Sequence, residues 1–176
     1  MAGTRKTNAT RLLEARGIEH RIRVYDSEQA FHSADEAAAL LGVPGSSVLK
    51  TLVVLREPGA RAKPLLVLVP SDRQLDLRRL GRALGEKRLR MASLQEAERL
   101  TGLKVGGISA LAVRARAFEV LVDASAERRG RIHVSAGVRG VDLELAVGDL
   151  LAVTDGRLVE ASGSEATSQA SSNTML

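Results

Sequence analysis

The sequence contains no cysteine and no tryptophan, and its aromatic side chains are confined to Tyr25, Phe31 and Phe118. Without cysteine there is no disulfide, no thiolate metal ligand and no cysteine nucleophile borne by the protein. Three aromatics are too few for a surface that stacks successive bases of a single strand. Long apolar runs are also missing. Nothing approaches the roughly 20 residues needed to cross a bilayer, and the opening "MAGTRKTNATRLLEARG" lacks the apolar stretch of a secretory signal. These absences predict a cytoplasmic protein with no membrane partner.

What is present has the composition of a globular domain. The 176 residues are 44% hydrophobic and 27% charged, enough for one core and too few to expect two. Lysine and arginine exceed aspartate and glutamate by 26 to 21. The excess is concentrated: from Arg73 to Arg90, "RQLDLRRLGRALGEKRLR" sets seven basic side chains against Asp76 and Glu86. Such a run is either a solvated face or a patch that meets phosphates and releases counterions.

Helix punctuation is clear in several places. "TNATRLLEARG" has a cap at Thr7 or Asn8 and a stop at Gly17. "SADEAAALLG" and "SLQEAERLTG" open with capping boxes, Ser33 with Glu36 and Ser93 with Glu96, and close at Gly42 and Gly102. A further helix is predicted from Asp76 to Leu84, with Gly85 as terminator. "IEHRIRVYD" alternates as a half-buried strand, and "SSVLKTLVVL" and "PLLVLVP" form a hairpin across "REPGARAK". The remainder, "VGGISALAV", "FEVLVDAS", "RIHVSAGV" and "VDLELA", reads as strand and loop, followed by a short helix around "GDLLAV". Helices and strands do not alternate strictly, so the expected class is α+β. The expected organisation is a flexible N-terminus over 1–8, one domain over 9–160 and a disordered Ser-rich tail over 161–176.

Two tempting motifs fail. "GSSVLKT" ends like a phosphate-binding loop, but the required glycines are replaced by Leu49 and Pro44. "GGISAL" lacks the last glycine of a nucleophile elbow, which leaves Ser109 as a loop hydroxyl. His20, His32 and His133 are far apart and have no metal-ligand spacing, so no metal and no cofactor are expected.

Lys50 shares a strand side with Val48, Leu52 and Val54. Either it snorkels to water, or its partly desolvated ammonium faces a cleft and holds an anionic oxygen. Gly106 and Gly107 are either an ordinary turn or a place where backbone amides approach a ligand closely.

The succession "RVYD", "VLKTLVV", "VPSDRQLDLRRLGRALG", "EAERLTGLKVGGIS" and "IHVSAGVRGVDLELAVGDLLAVT" resembles the YbaK/EbsC-type aminoacyl-tRNA deacylases, in particular the free-standing Cys-tRNA(Pro) deacylases. The likeness runs from about Thr10 to Glu160. It implies a single compact domain built on a mixed, barrel-like β-sheet with flanking helices, as in the editing domain inserted in bacterial prolyl-tRNA synthetases. It places the family's lysine at Lys50 beside Thr51, its pocket tyrosine at Tyr25, its glycine loop at Gly106 and Gly107, and its late acidic residue at Asp142. Ser109 remains in place, while Ala110 and Ala112 replace the proline and glycine usual in G-G-x-S-P-x-G.

The implied partners are the 3′ end of an aminoacyl-tRNA and prolyl-tRNA synthetase. The implied reaction is hydrolysis of Cys-tRNA(Pro), in which the substrate's own thiol attacks its ester. The alternatives are removal of alanine or another small residue, or a non-catalytic module that binds RNA ends or nucleotides.

Overall fold

The computed structural model describes residues 6–25, 33–57, 62–113 and 117–163. In chain order the elements are α1 (Asn8–Ala15), β1 (Arg21–Val24), α2 (Ala34–Leu41), β2 (Leu49–Arg56), β3 (Leu65–Pro70), α3 (Leu77–Leu84), β4 (Leu89–Met91), α4 (Leu94–Thr101), β5 (Glu119–Asp123), β6 (Arg131–Ser135), β7 (Val141–Ala146), α5 (Val147–Thr154) and β8 (Arg157–Val159). Each capping signal acts as its chemistry requires. Ser33 and Ser93 accept from the Glu36 and Glu96 amides in full capping boxes, and Gly42, Gly85 and Gly102 end their helices in left-handed geometry.

Five strands form one mixed sheet in the order β4-β2-β3-β5-β8, antiparallel on the β4 side of β3 and parallel beyond it. The other three form an antiparallel sheet in the order β1-β7-β6. β3 is buried along its whole length because apolar layers cover both faces of its sheet. One layer gathers Leu49, Val53, Leu66, Leu68 and Val122 with the three-stranded sheet, and the other gathers Val54, Val67 and Leu121 under Leu80 of α3.

Three expectations need correction. First, the sheet is not barrel-like. Two sheets meet at an isolated parallel bridge between Val48 and His133, and no closed barrel exists among the described residues. Three-residue β4 pairs only with Val54 to Arg56, which leaves the Leu49–Val53 end of β2 without a paired strand on that side among the described residues.

Second, of the stretches expected as strand and loop, "VGGISALAV" contributes turn and loop and no strand. Gly106 has φ +92°, and the Gly107 amide donates to Lys104 O at 2.9 Å. The departure at Ala112 is accommodated from across the loop, since a Cβ on Gly137 would lie 2.7 Å from the Ala112 Cβ.

Third, order extends beyond both expected domain limits. Thr7 caps α1, which begins at Asn8. Ala161 and Ser162 are buried because their amides donate to the Asp123 carboxylate at 3.0 and 2.8 Å. The rest of the expected tail, 164–176, lies outside the described residues.

Candidate active site

The uncovered edge of β2 borders a cavity of about 400 Å³. The starts of α2 and α4 form two walls through Ser33 and Leu94, the turn after α4 adds Gly106, and the three-stranded sheet adds Ser135 and Asp142. Five of the residues singled out from sequence line this one space: Tyr25, Lys50, Thr51, Gly106 and Asp142. Gly107 and Ser109 do not. Gly107 is pressed against Val138 and Arg139, and fully buried Ser109 accepts the Leu111 amide on its Oγ at 3.1 Å.

Lys50 is half-buried, and its Nζ donates to the carbonyl of Ser71 at 3.3 Å. Burial lowers its pKa, opposed by the charges of Asp35 and Asp72. Ser71 is fixed in turn by its Oγ donating to Gly45 O at 3.0 Å and its amide to Val48 O at 2.8 Å. The ammonium therefore enters the cavity from a rigid seat.

In the same cavity the Tyr25 hydroxyl donates to Asp142 Oδ1 at 3.3 Å. Asp142 is 4% exposed, and burial pushes its carboxyl up to about 6, with the bond from Tyr25 acting in the opposite direction. Burial, the Asp142 charge and the same hydrogen bond raise the phenol well above its ordinary value.

The serine hydroxyls at the cavity are already engaged within the fold. Those of Ser33 and Ser93 are engaged as helix caps, and Ser135 Oγ accepts the Gly137 amide at 3.2 Å. Thr51 Oγ1 is buried with no hydrogen-bond partner. His133 is buried in β6 but does not line the cavity, His20 approaches Ile18 O at 2.8 Å, and His32 lies outside the described residues. Among the described residues no group of three His, Asp or Glu could hold a metal ion.

Sequence reasoning missed Ser71, Asp35 and Asp72 around Lys50, and Ser135 beside Asp142. Pairing supplies the only signal for the last: Ser135 is the register partner of Asp142. Together these groups can hold a small polar group inside apolar walls, with an ammonium and a phenol–carboxylate pair among the lining.

The model of the aminoacyl-tRNA editing domain matches residues 28–153, and the chain belongs to that family. It is an aminoacyl-tRNA deacylase, a hydrolase of the ester joining an amino acid to tRNA. One relative, from Enterococcus faecalis, is named "Putative Cys-tRNA(Pro)/Cys-tRNA(Cys) deacylase EbsC"; it is 32% identical over 88% of this chain and 92% of its own length. A proline–tRNA ligase of Limosilactobacillus fermentum is 30% identical over 60% of this chain, which corresponds to 18% of that larger enzyme.

Among solved structures, a hypothetical protein superposes with TM-score 0.78 at 28% identity, covering 89% of this chain and 99% of its own. A structure described as a "putative trans-editing enzyme for prolyl tRNA synthetase" shares the fold, with TM-score 0.75 at 24% identity over 91% of this chain and 99% of its own. No helix among the described residues is long and apolar enough to cross a membrane.

Proposed function

We propose that this deacylase removes cysteine from tRNA(Pro), with the substrate's own thiol as nucleophile. The observation that carries the reading is a cavity with a seated ammonium and a phenol–carboxylate pair but, among the described residues, no histidine on its walls to activate a serine or threonine. The name of the 32%-identical relative supports the choice of cysteine.

The thiol of cysteinyl-tRNA loses its proton to solvent and its sulfur attacks the ester carbonyl. The C–S bond forms, the bond to the ribose oxygen breaks, and that oxygen leaves with a proton taken from water. The resulting four-membered thiolactone opens in water to free cysteine. The protein's task is to hold the thiol against the carbonyl and to stabilise the oxyanion.

Lys50 supplies the positive charge for that oxyanion, assisted by the Gly106 backbone. Asp142, ionised at neutral pH, receives the α-ammonium or a ribose hydroxyl and is held in place by Tyr25. Thr51 turns its otherwise unpartnered hydroxyl to the bound aminoacyl group. Few contacts to the rest of the tRNA leave little choice among tRNAs, so prolyl-tRNA synthetase selects tRNA(Pro) as a partner.

The test is release of labelled amino acid from Cys-tRNA(Pro), Ala-tRNA(Pro) and a hydroxyl-bearing Ser-tRNA(Pro). Loss of cysteine alone is expected, and equal loss of alanine would overturn thiol assistance.

A further inference from the structure

The seven cations between Arg73 and Arg90 do not form one uniform charged face. Four are engaged: Arg73 Nη1 donates to Ser162 Oγ at 3.3 Å, and Arg79, Arg88 and Arg90 pair with Glu160, Glu57 and Glu96 at 2.9, 3.2 and 2.8 Å. The remaining three, Arg78, Arg82 and Lys87, are exposed and make no ion pair among the described residues, and all three line one groove of about 490 Å³. Arg78 and Arg82 stand one turn apart on a single face of α3.

Gly81 and Gly85 bring Lys87 to the same place. The chain reverses after Gly85, and the Glu86 carbonyl comes so close that a Cβ on Gly81 would meet it at 2.7 Å. The acid in this groove, Glu86, accepts from Arg56 Nε at 2.7 Å, which offsets its charge. The turn thus folds the third cation back onto the helix face that carries the other two.

The groove lies beside the catalytic cavity. Leu89 lines the groove and Met91 lines the cavity, two residues apart on β4, a separation of about 7 Å. That spacing is close to one nucleotide of an extended single strand.

We infer that the groove formed by Arg78, Arg82 and Lys87 carries the backbone phosphates of the tRNA's 3′ strand as its aminoacylated end enters the cavity. The inference rests on the reading of that cavity as the seat of the aminoacyl ester. These contacts position the strand without reading its sequence.

The experiment measures binding of an uncharged acceptor-stem minihelix ending in CCA, by fluorescence anisotropy over a potassium chloride series. It compares the wild type, the triple variant Arg78→Gln/Arg82→Gln/Lys87→Gln, and Arg88→Gln as a control outside the groove. The triple variant should bind about tenfold or more weakly at low salt, with a log–log salt slope shallower by about 2. Its KM for aminoacyl-tRNA should rise, while turnover of a short aminoacyl-adenosine ester stays unchanged.

Wild-type affinity and slope in the triple variant would overturn the inference, as would an equal loss in Arg88→Gln. Should the triple variant fail to fold, Lys87→Gln, which lies outside the helix, tests the same point with a slope change of about 1. Binding of an uncharged minihelix does not depend on which amino acid is removed. A wild type that spares Cys-tRNA(Pro) but binds through these cations would therefore refute the substrate reading alone.

Discussion

The Tyr25 hydroxyl donates to Asp142, 117 residues further along the chain, and the pair lines the same cavity as Lys50. The bond joins the end of β1 to β7, whose backbones pair in register from Arg21 with Glu144 to Val24 with Val141.

A buried aspartate with its carboxyl raised to about 6 makes stability depend on pH. The folded chain holds this proton to about pH 6, whereas an exposed aspartate releases it near pH 3.8. Folding takes up a proton between those values, so this group's contribution to stability falls as pH rises through them. Asp142→Asn should raise stability at pH 8 by up to about 3 kcal/mol and have little effect at pH 4, as read by thermal melts at both. Deacylation should nevertheless fall in that variant, and in the wild type it should decline as pH drops below 6.

Lys50→Ala removes a half-buried ammonium whose hydrogen bond is to a carbonyl rather than a carboxylate. The melting temperature should stay within about 2 °C of wild type, since no ion pair is broken. Deacylation of Cys-tRNA(Pro) should fall at least about 100-fold, the scale on which loss of an oxyanion donor acts. Single-turnover kinetics would check this, and a fully active Lys50→Ala would remove the residue from the reaction.

Thr51→Val deletes a buried hydroxyl that has no hydrogen-bond partner among the described residues. A gain in stability of about 1 kcal/mol is expected, because nothing is left unpaired and an isolated buried hydroxyl is unfavourable. Cysteine release should fall at the same time, and Thr51→Ser should restore it. Denaturant titration and deacylation of the three proteins would separate the two effects.

Asp123→Ala should be among the more destabilising single changes. Burial alone would push this carboxyl up, yet hydrogen bonds from Ser125, Ala161 and Ser162 hold it below its ordinary value. Its stabilising contribution is present above the exposed value near 3.8 and is lost as pH falls below it. The alanine variant leaves buried amides at Ala161 and Ser162 without acceptors, a loss of about 3 kcal/mol or more at pH 7. Urea unfolding would measure it.

Much of the fold was legible because local chemistry and global structure agree. The boxes at Ser33 and Ser93, and the glycines that follow them, mark helix ends using groups close in sequence. The place of Lys50 among Val48, Leu52 and Val54 left snorkelling to water and partial desolvation both open, and the structure shows the side chain half-buried. By contrast, β4 was hidden in a basic run because it is three residues long and its pairing partner, β2, is distant in sequence. "VGGISALAV" left strand and loop both open by its apolar content and its glycines, and the positive φ at Gly106 fits the turn. Tyr25 and Asp142 carried no local sign of each other. The resemblance named both residues, and only the β1–β7 pairing explains why they meet.

The order of the strands also bears on synthesis. The cavity needs Lys50 from β2 and Asp142 from β7, and the sheet behind it gains its far edge only with β8. Asp123 and Asp76 then wait for Ala161, which gives its amide to one and its carbonyl to the amide of the other. A nascent chain still inside the ribosome beyond residue 140 therefore lacks part of the cavity's lining and has an open sheet edge, both of which are supplied only when β7 and β8 emerge.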